Sequence, residues 1–312
     1  MVPVHHGWLW FPGSPGLVSG IIIGGFGCAP LLFDNMWTRV INPDNVPVSE
    51  DDGFYTTEID DSFISTWRLL VACWAIIAVI GFVMIYPGPA KVKKKPVAAS
   101  AAESSDEMAD SVLVQKNEAT MSRMVFSQPF VVLYLMSMFS IISGYFAVNN
   151  YARYGRLNGL TDENYFSYLG SIASICNAIR FIWSFATDHY SYKLVYGTLV
   201  TMQIVLNFTC PLIAESAGLY AIWISLMLLC EGGHFTLVPN VLKKIYGDKG
   251  TALYGIAFSY TGICSILIVV LQTFLLTESA ESYDYFFYAN GCFSCISLVL
   301  LLTLFKEDKF IA

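Results

Sequence analysis

Long stretches without a single charge alternate with polar connections along the chain, short ones apart from 38–64 and 88–125. Charge-free runs occupy residues 1–33, 69–90, 124–152, 164–179, 194–214, 216–230, 250–277 and 285–305. One Arg separates 164–179 from 181–187, and one Glu joins 216–230 to 232–242. A helix that crosses a bilayer needs about 20 mostly apolar residues. Trimmed at their turn signals, the runs predict eight such helices, at 17–37, 65–87, 126–148, 165–187, 193–214, 218–241, 251–276 and 284–305. The runs are continuously apolar rather than alternating, which excludes a β-barrel. The predicted fold class is an all-α polytopic membrane protein, embedded multi-pass in a lipid bilayer.

Composition agrees. Of 312 residues, 55% are hydrophobic and 13% charged, and mean hydropathy is +0.57. Soluble domains carry about 25% charged residues. With 17 Lys and Arg against 24 Asp and Glu, a nucleic-acid partner is not expected. Eight cysteines all fall inside predicted spans, where thiols behave as small apolar groups. Cys292 and Cys295 form a CxxC without a partner pair, and His5-His6 alone makes no metal site. No P-loop, metal-ligand spacing or Ser/His/Asp order is present, so no enzyme, metal or cofactor is expected.

The loop charges assign an orientation. Twelve Lys and Arg, among them Lys93, Lys94, Lys95, Lys193, Lys243, Lys244 and Lys306, fall on one side. Arg39, Arg68, Arg153 and Arg156 fall on the other. Positive loops face the cytoplasm or its organellar equivalent. Three regions follow: 1–87, with two helices and an acidic outer loop 38–64; a Lys/Ala/Ser-rich flexible linker 88–125; and a six-helix unit 126–312. The apolar N-terminus lacks the basic segment and cleavage site of a signal peptide.

Several residues inside the spans bear on function. Gly16, Gly20 and Gly24 form two overlapping GxxxG steps, a face on which backbones approach closely. Such a face packs tightly, and it also suits a helix that rocks against its neighbour. Gly232, Gly233 and Pro239 mark candidate bends in the sixth helix. Arg180 lies mid-span, with Asp188 two turns on, and intramembrane charges point to function by default. Glu231 and His234 sit three residues apart on one helix and could together carry a coupled proton. The alternative is that Glu231 neutralises Arg180 and His234 caps a loosened turn. Tyr145, Asn149 and Asn150 end the third helix, either lining an outward mouth or joining an interfacial aromatic belt.

Gly7-Trp8-Leu9-Trp10-Phe11-Pro12, then Gly16-Leu17-Val18-Ser19-Gly20 and Gly24-Gly25-Phe26-Gly27, resembles the loop 4–5 and helix 5 pattern of the oxalate/formate antiporter family. That family belongs to the major facilitator superfamily and is related to monocarboxylate transporters. Asn177-Ala178-Ile179-Arg180 with Asp188 resembles its helix 8 signature, though the Gly before the Arg is missing. Gly232-Gly233-His234-Phe235 with Pro239 resembles its helix 10, and Tyr246-Gly247 with Tyr254-Gly255 its helix 11 region. Gly13-Ser14-Pro15 replaces the family's basic pair.

The resemblance implies that the eight helices are helices 5–12 of a twelve-helix fold, with 88–125 as the central loop and helices 1–4 lacking. It implies a transporter of small organic anions working by alternating access between two halves. Arg180 would bind the carboxylate, since its fork matches one, with Tyr145, Asn149, Asn177 and His234 beside it. The other reading of Arg180 is an ion pair with Asp188 or Glu231. The helix 11 stretch Ser259-Tyr260-Thr261-Gly262 has no second cation, which favours a monocarboxylate. An upstream segment or partner chain would supply the missing helices. Without them, Gly16, Gly20 and Gly24 would face lipid. The competing readings are a transport-inactive scaffold or complex subunit, and a degenerate fragment.

Overall fold

The computed structural model describes residues 2–11, 13–29, 31, 33, 39–41, 43, 57–84 and 121–307, and among them there are helices and no strand. In chain order these are α1 (Val2–Trp10), α2 (Pro15–Gly27), α3 (Thr57–Met84), α4 (Gln128–Leu157), α5 (Glu163–Ala178), α6 (Phe181–His189), α7 (Tyr192–Ile213), α8 (Ala217–Tyr246), α9 (Gly250–Ala257), α10 (Ser259–Leu275) and α11 (Ala280–Thr303). The linker 88–125, up to residue 120, and residues 44–56 of the acidic loop lie outside the described residues.

Among the described residues, seven helices are long and apolar enough to cross a membrane: Ser62–Met84, Gln128–Leu157, Asn164–His189, Tyr192–Ile213, Ala217–Tyr246, Gly250–Leu275 and Ala280–Thr303. The chain is an integral multi-pass membrane protein. The expected span 17–37 is represented by α2, a shorter apolar helix, with residues 34–38 outside the described residues. The other expected spans are met within a few residues, apart from α4. It continues nine residues past 148, because its polar tail bonds to its own backbone: Asn149 and Asn150 each donate to the carbonyl one turn back, at 2.8 Å. Arg153 there pairs with Glu278.

Short connections are closed by side-chain caps, which satisfy the free amides of a helix start. Asp162 accepts from Asn164 N at 2.9 Å, Ser191 from Leu194 N at 3.2 Å, and Ser279 from Ser282 N at 3.4 Å. Between these turns the six spans from α4 to α11 form one bundle. α8 runs through its middle, buried without interruption from Met227 to Leu242. α4, α5 and α7 pack around it, and α11 covers α4 and α7.

Among the described residues two spans are broken, and the one expected to bend is not. The span 164–189 is interrupted at Ile179 and Arg180, where three bonds reach back three residues: Arg180 N to Asn177 O at 3.3 Å, Ile182 N to Ile179 O and Trp183 N to Arg180 O, both at 3.1 Å. A tightened turn of this kind inside a helix often marks a hinge. The span 250–275 is interrupted at Phe258. α8, by contrast, continues as one helix through Gly232, Gly233 and Pro239. Its two glycines serve close approach rather than bending. A Cβ at Gly232 would lie 2.6 Å from Asn177 Oδ1, and one at Gly233 would overlap Leu199 and lie 2.9 Å from Trp183. Pro239 has no amide hydrogen and so leaves the Phe235 carbonyl without its helical donor. The Tyr254 hydroxyl reaches that carbonyl at 3.5 Å.

Candidate functional site

Arg180 sits in the break between α5 and α6 with no solvent exposure. Its Nε donates to Asn177 O at 2.7 Å, and one terminal nitrogen donates to Asn177 Oδ1. Asn177 Nδ2 then donates to Glu231 Oε2 at 3.1 Å. Asn177 therefore stands between cation and carboxylate as a bridge. The guanidinium also lies 5.4 Å from the centre of the Phe235 ring, a cation–π placement. Its other terminal nitrogen, Nη1, is buried with no hydrogen-bond partner.

Three glycines make the room for this arrangement. A Cβ on Gly27 of α2 would stand 2.9 Å from an Arg180 nitrogen, and one on Gly232 would stand 2.9 Å from Nε. A Cβ on Gly144 of α4 would collide with the Glu231 side chain. Around Phe235 the aromatic rings close: Tyr145 at 6.4 Å and Phe258 at 6.0 Å, with Tyr254 5.6 Å from Phe258. Both broken spans thus meet α8 at the same ring. Arg180 comes from one break, and Phe258 is the other.

The remaining expected residues fall elsewhere. His234 is buried and turned toward α4 and α7, its Nε2 3.0 Å from Ser140 Oγ and 3.1 Å from Gln203 Oε1. It does not cap a turn, and the neighbours of Glu231 are not its neighbours. Asn149 is exposed one turn beyond Tyr145. Asp188 makes no pair with Arg180. Its Oδ2 accepts from Leu17 N at 3.2 Å, so its charge meets the first turn of α2, a favourable place for a carboxylate.

Gly16, Gly20 and Gly24 are buried, which corrects the expectation that they face lipid. A Cβ at Gly16 would overlap the Ser184 carbonyl, one at Gly20 would lie 2.7 Å from Phe181 Cα, and one at Gly24 would lie 2.7 Å from Ala178 O. The glycine face lies directly on the backbone of α5 and α6, through the Arg180 break. At the lysine-rich end α8 is fastened to α6 and to α1, and α1 to α2. Lys244 Nζ donates to Thr187 O, Asn240 donates to Thr187 Oγ1, Lys243 lies 4.1 Å over the Trp8 ring, and Trp8 Nε1 donates to Ser19 at 2.8 Å.

Phe235, Gly27, Gly144 and Phe258 were not singled out as site residues from sequence. Phe235 had a signal, since it lies four residues after Glu231 and so shares its helix face. Phe258 had none, because no Pro or Gly occupies the break itself. Among the described residues no group of three or more His, Cys, Asp or Glu could hold a metal ion.

No protein-family model matches the chain. The chain is similar to apicoplast pyruvate carrier 1 of Toxoplasma gondii, 26% identical over 291 residues that cover 82% of this chain. It spans about half the length of that relative, 53%. That relative is a carrier rather than an enzyme.

Proposed function

We propose that this chain forms the substrate-binding part of a membrane carrier for small monocarboxylates. The observation that carries the reading is Arg180: a cation buried mid-span, in a helix break, with Nη1 unpartnered. A guanidinium nitrogen without an acceptor in a dry site costs free energy, and a carboxylate oxygen is the acceptor that offsets it best. Phe235, Tyr145 and Tyr254 form the apolar side of the site, suited to a short carbon chain and ill suited to a second carboxylate. The similarity to a pyruvate carrier supports the same substrate class.

In this reading the fold is that of the major facilitator superfamily, in its oxalate/formate and monocarboxylate branch. The lysine-rich end faces the cytoplasm or its equivalent. Alternating access proceeds by α2 rolling on its glycine face over α5 and α6. Release of Asp188 from α2, and of Lys243 from Trp8, opens that end. Glu231, linked to Arg180 through Asn177, is the group that carries a coupled proton. His234, tied to Ser140 and Gln203, holds α8 against α4 and α7. The direct test is uptake of labelled pyruvate into vesicles. Arg180→Ala and Arg180→Lys should abolish it while membrane insertion stays normal, and normal uptake by Arg180→Ala would end the binding role.

One observation favours a second reading, a scaffold or complex subunit. α3 is almost wholly uncovered, with Trp67, Trp74, Ile76 and Phe82 exposed. Further helices, from a preceding segment or a partner chain, would cover it. Copurification of a fixed partner without any carboxylate uptake would support this reading over transport.

A further inference from the structure

Away from Arg180, a groove of about 1230 Å³ runs between α7 and α11, starting at the lysine-rich end. Lys193 and Lys306 stand at its mouth, and Gly197, Thr198, Thr201 and Met202 follow along its floor. At 1.5 Å per residue, the helix from Ser191 to Met202 is about 16 Å long. That is close to half of a hydrocarbon core of about 30 Å. The groove therefore has the depth of one leaflet.

Its wall is less polar than its sequence. Thr198 donates its hydroxyl to Leu194 O at 2.9 Å, Thr201 to Gly197 O at 2.8 Å, and Thr303 to Val299 O at 2.7 Å. Each hydroxyl is spent on its own helix one turn back, so the groove meets methyl groups. The mouth is the reverse. The carboxylate of Glu307 accepts Tyr192 N at 2.7 Å and Lys193 N at 2.9 Å, which commits its negative charge to the start of α7. Lys193 gives one donor to Leu302 O at 3.2 Å, and an ammonium has three. Lys306 is exposed. The mouth thus offers two cations, and the depth offers hydrocarbon.

We propose that this groove binds an anionic phospholipid of the leaflet on the lysine-rich side. Its phosphate lies between Lys193 and Lys306, and one acyl chain lies along Gly197, Thr201 and Met202. Charge complementarity at the mouth and the one-leaflet depth select this occupant over a zwitterionic lipid or a soluble anion. The site is independent of the transport reading.

The test uses the full chain in nanodiscs made of equal parts phosphatidylcholine and phosphatidylglycerol, with bound lipid counted by native mass spectrometry. Two lysines near the surface, at about fivefold each, should give phosphatidylglycerol a preference of roughly twenty-five-fold. K193Q with K306Q should remove that preference. Thr201→Trp, which fills the groove from an exposed position, should remove both lipids. Equal retention of the two lipids by the unaltered chain overturns the proposal, as does undiminished phosphatidylglycerol on the double variant. Retention unaffected by Thr201→Trp also overturns it, because head-group attraction alone would then suffice.

Discussion

α3 and α8 are similar in length and both strongly apolar, yet their surroundings are opposite. The most apolar stretch of α3 has a mean hydropathy of 2.2 and is 6% buried, while that of α8 has 1.5 and is 72% buried. The more hydrophobic helix is the less covered one. Hydropathy reports on the bilayer, where lipid is as apolar as leucine. Protein neighbours are reported by the small and polar residues, which α8 carries as Ser225, Glu231, Gly232, Gly233, His234, Thr236 and Asn240. α3 is instead a nearly unbroken aliphatic and aromatic surface after Arg68.

This contrast can be broken at several points. The largest effect is expected at Arg180. On the carrier reading, the Nη1 amino group gives a carboxylate two charge-assisted hydrogen bonds, at roughly 1.5–3 kcal/mol each, so Arg180→Ala should lower any pyruvate uptake by at least about a hundredfold. Next comes Glu231. Glu231→Gln should abolish the stimulation of uptake by an inward proton gradient while leaving exchange across equal pH within about threefold, since one charged donor pair is exchanged for a neutral one. Uptake that still follows the gradient would remove Glu231 from coupling.

Smaller effects test the packing. Gly20→Leu must push α2 off the backbone of Phe181, costing about 1–3 kcal/mol, and a thermal-unfolding assay in detergent should register it. Gly25→Leu, where nothing lies within 4 Å of an added Cβ, is the control and should leave the midpoint unchanged. The smallest effect belongs to α3: Ile76→Ala and Val79→Ala should change stability by less than about 0.5 kcal/mol. A larger loss in the native membrane would mean that α3 is covered there by protein.

The residues differ in how far the sequence could place them. The spans from 126 onward are legible because a charge-free run of membrane length has few alternatives. Arg180, Asn177 and Glu231 stand out because charge and amide are costly in that setting. What a run cannot express is rotation about its own axis. His234 is only three residues from Glu231, yet it faces α4 and α7. Gly16, Gly20 and Gly24 read as a bare face, but they are covered by α5 and α6, which follow far later in the chain. The breaks follow the same rule. Pro239 and the glycine pair looked like the weak points of α8, but its neighbours make good the missing bond. Phe258 carries no local signal at all.

Pro239 has a mechanical consequence. With the Phe235 carbonyl held by a phenol from α9 instead of by its own helix, α8 has a compliant joint toward its lysine-bearing end. The middle of the helix is clamped by the glycine contacts and stays stiff. The tip bearing Lys243 and Lys244 has a degree of freedom that the middle lacks. In the alternating-access proposal that tip would leave Trp8 and Thr187 as a lever arm, while Phe235 keeps its place over the guanidinium.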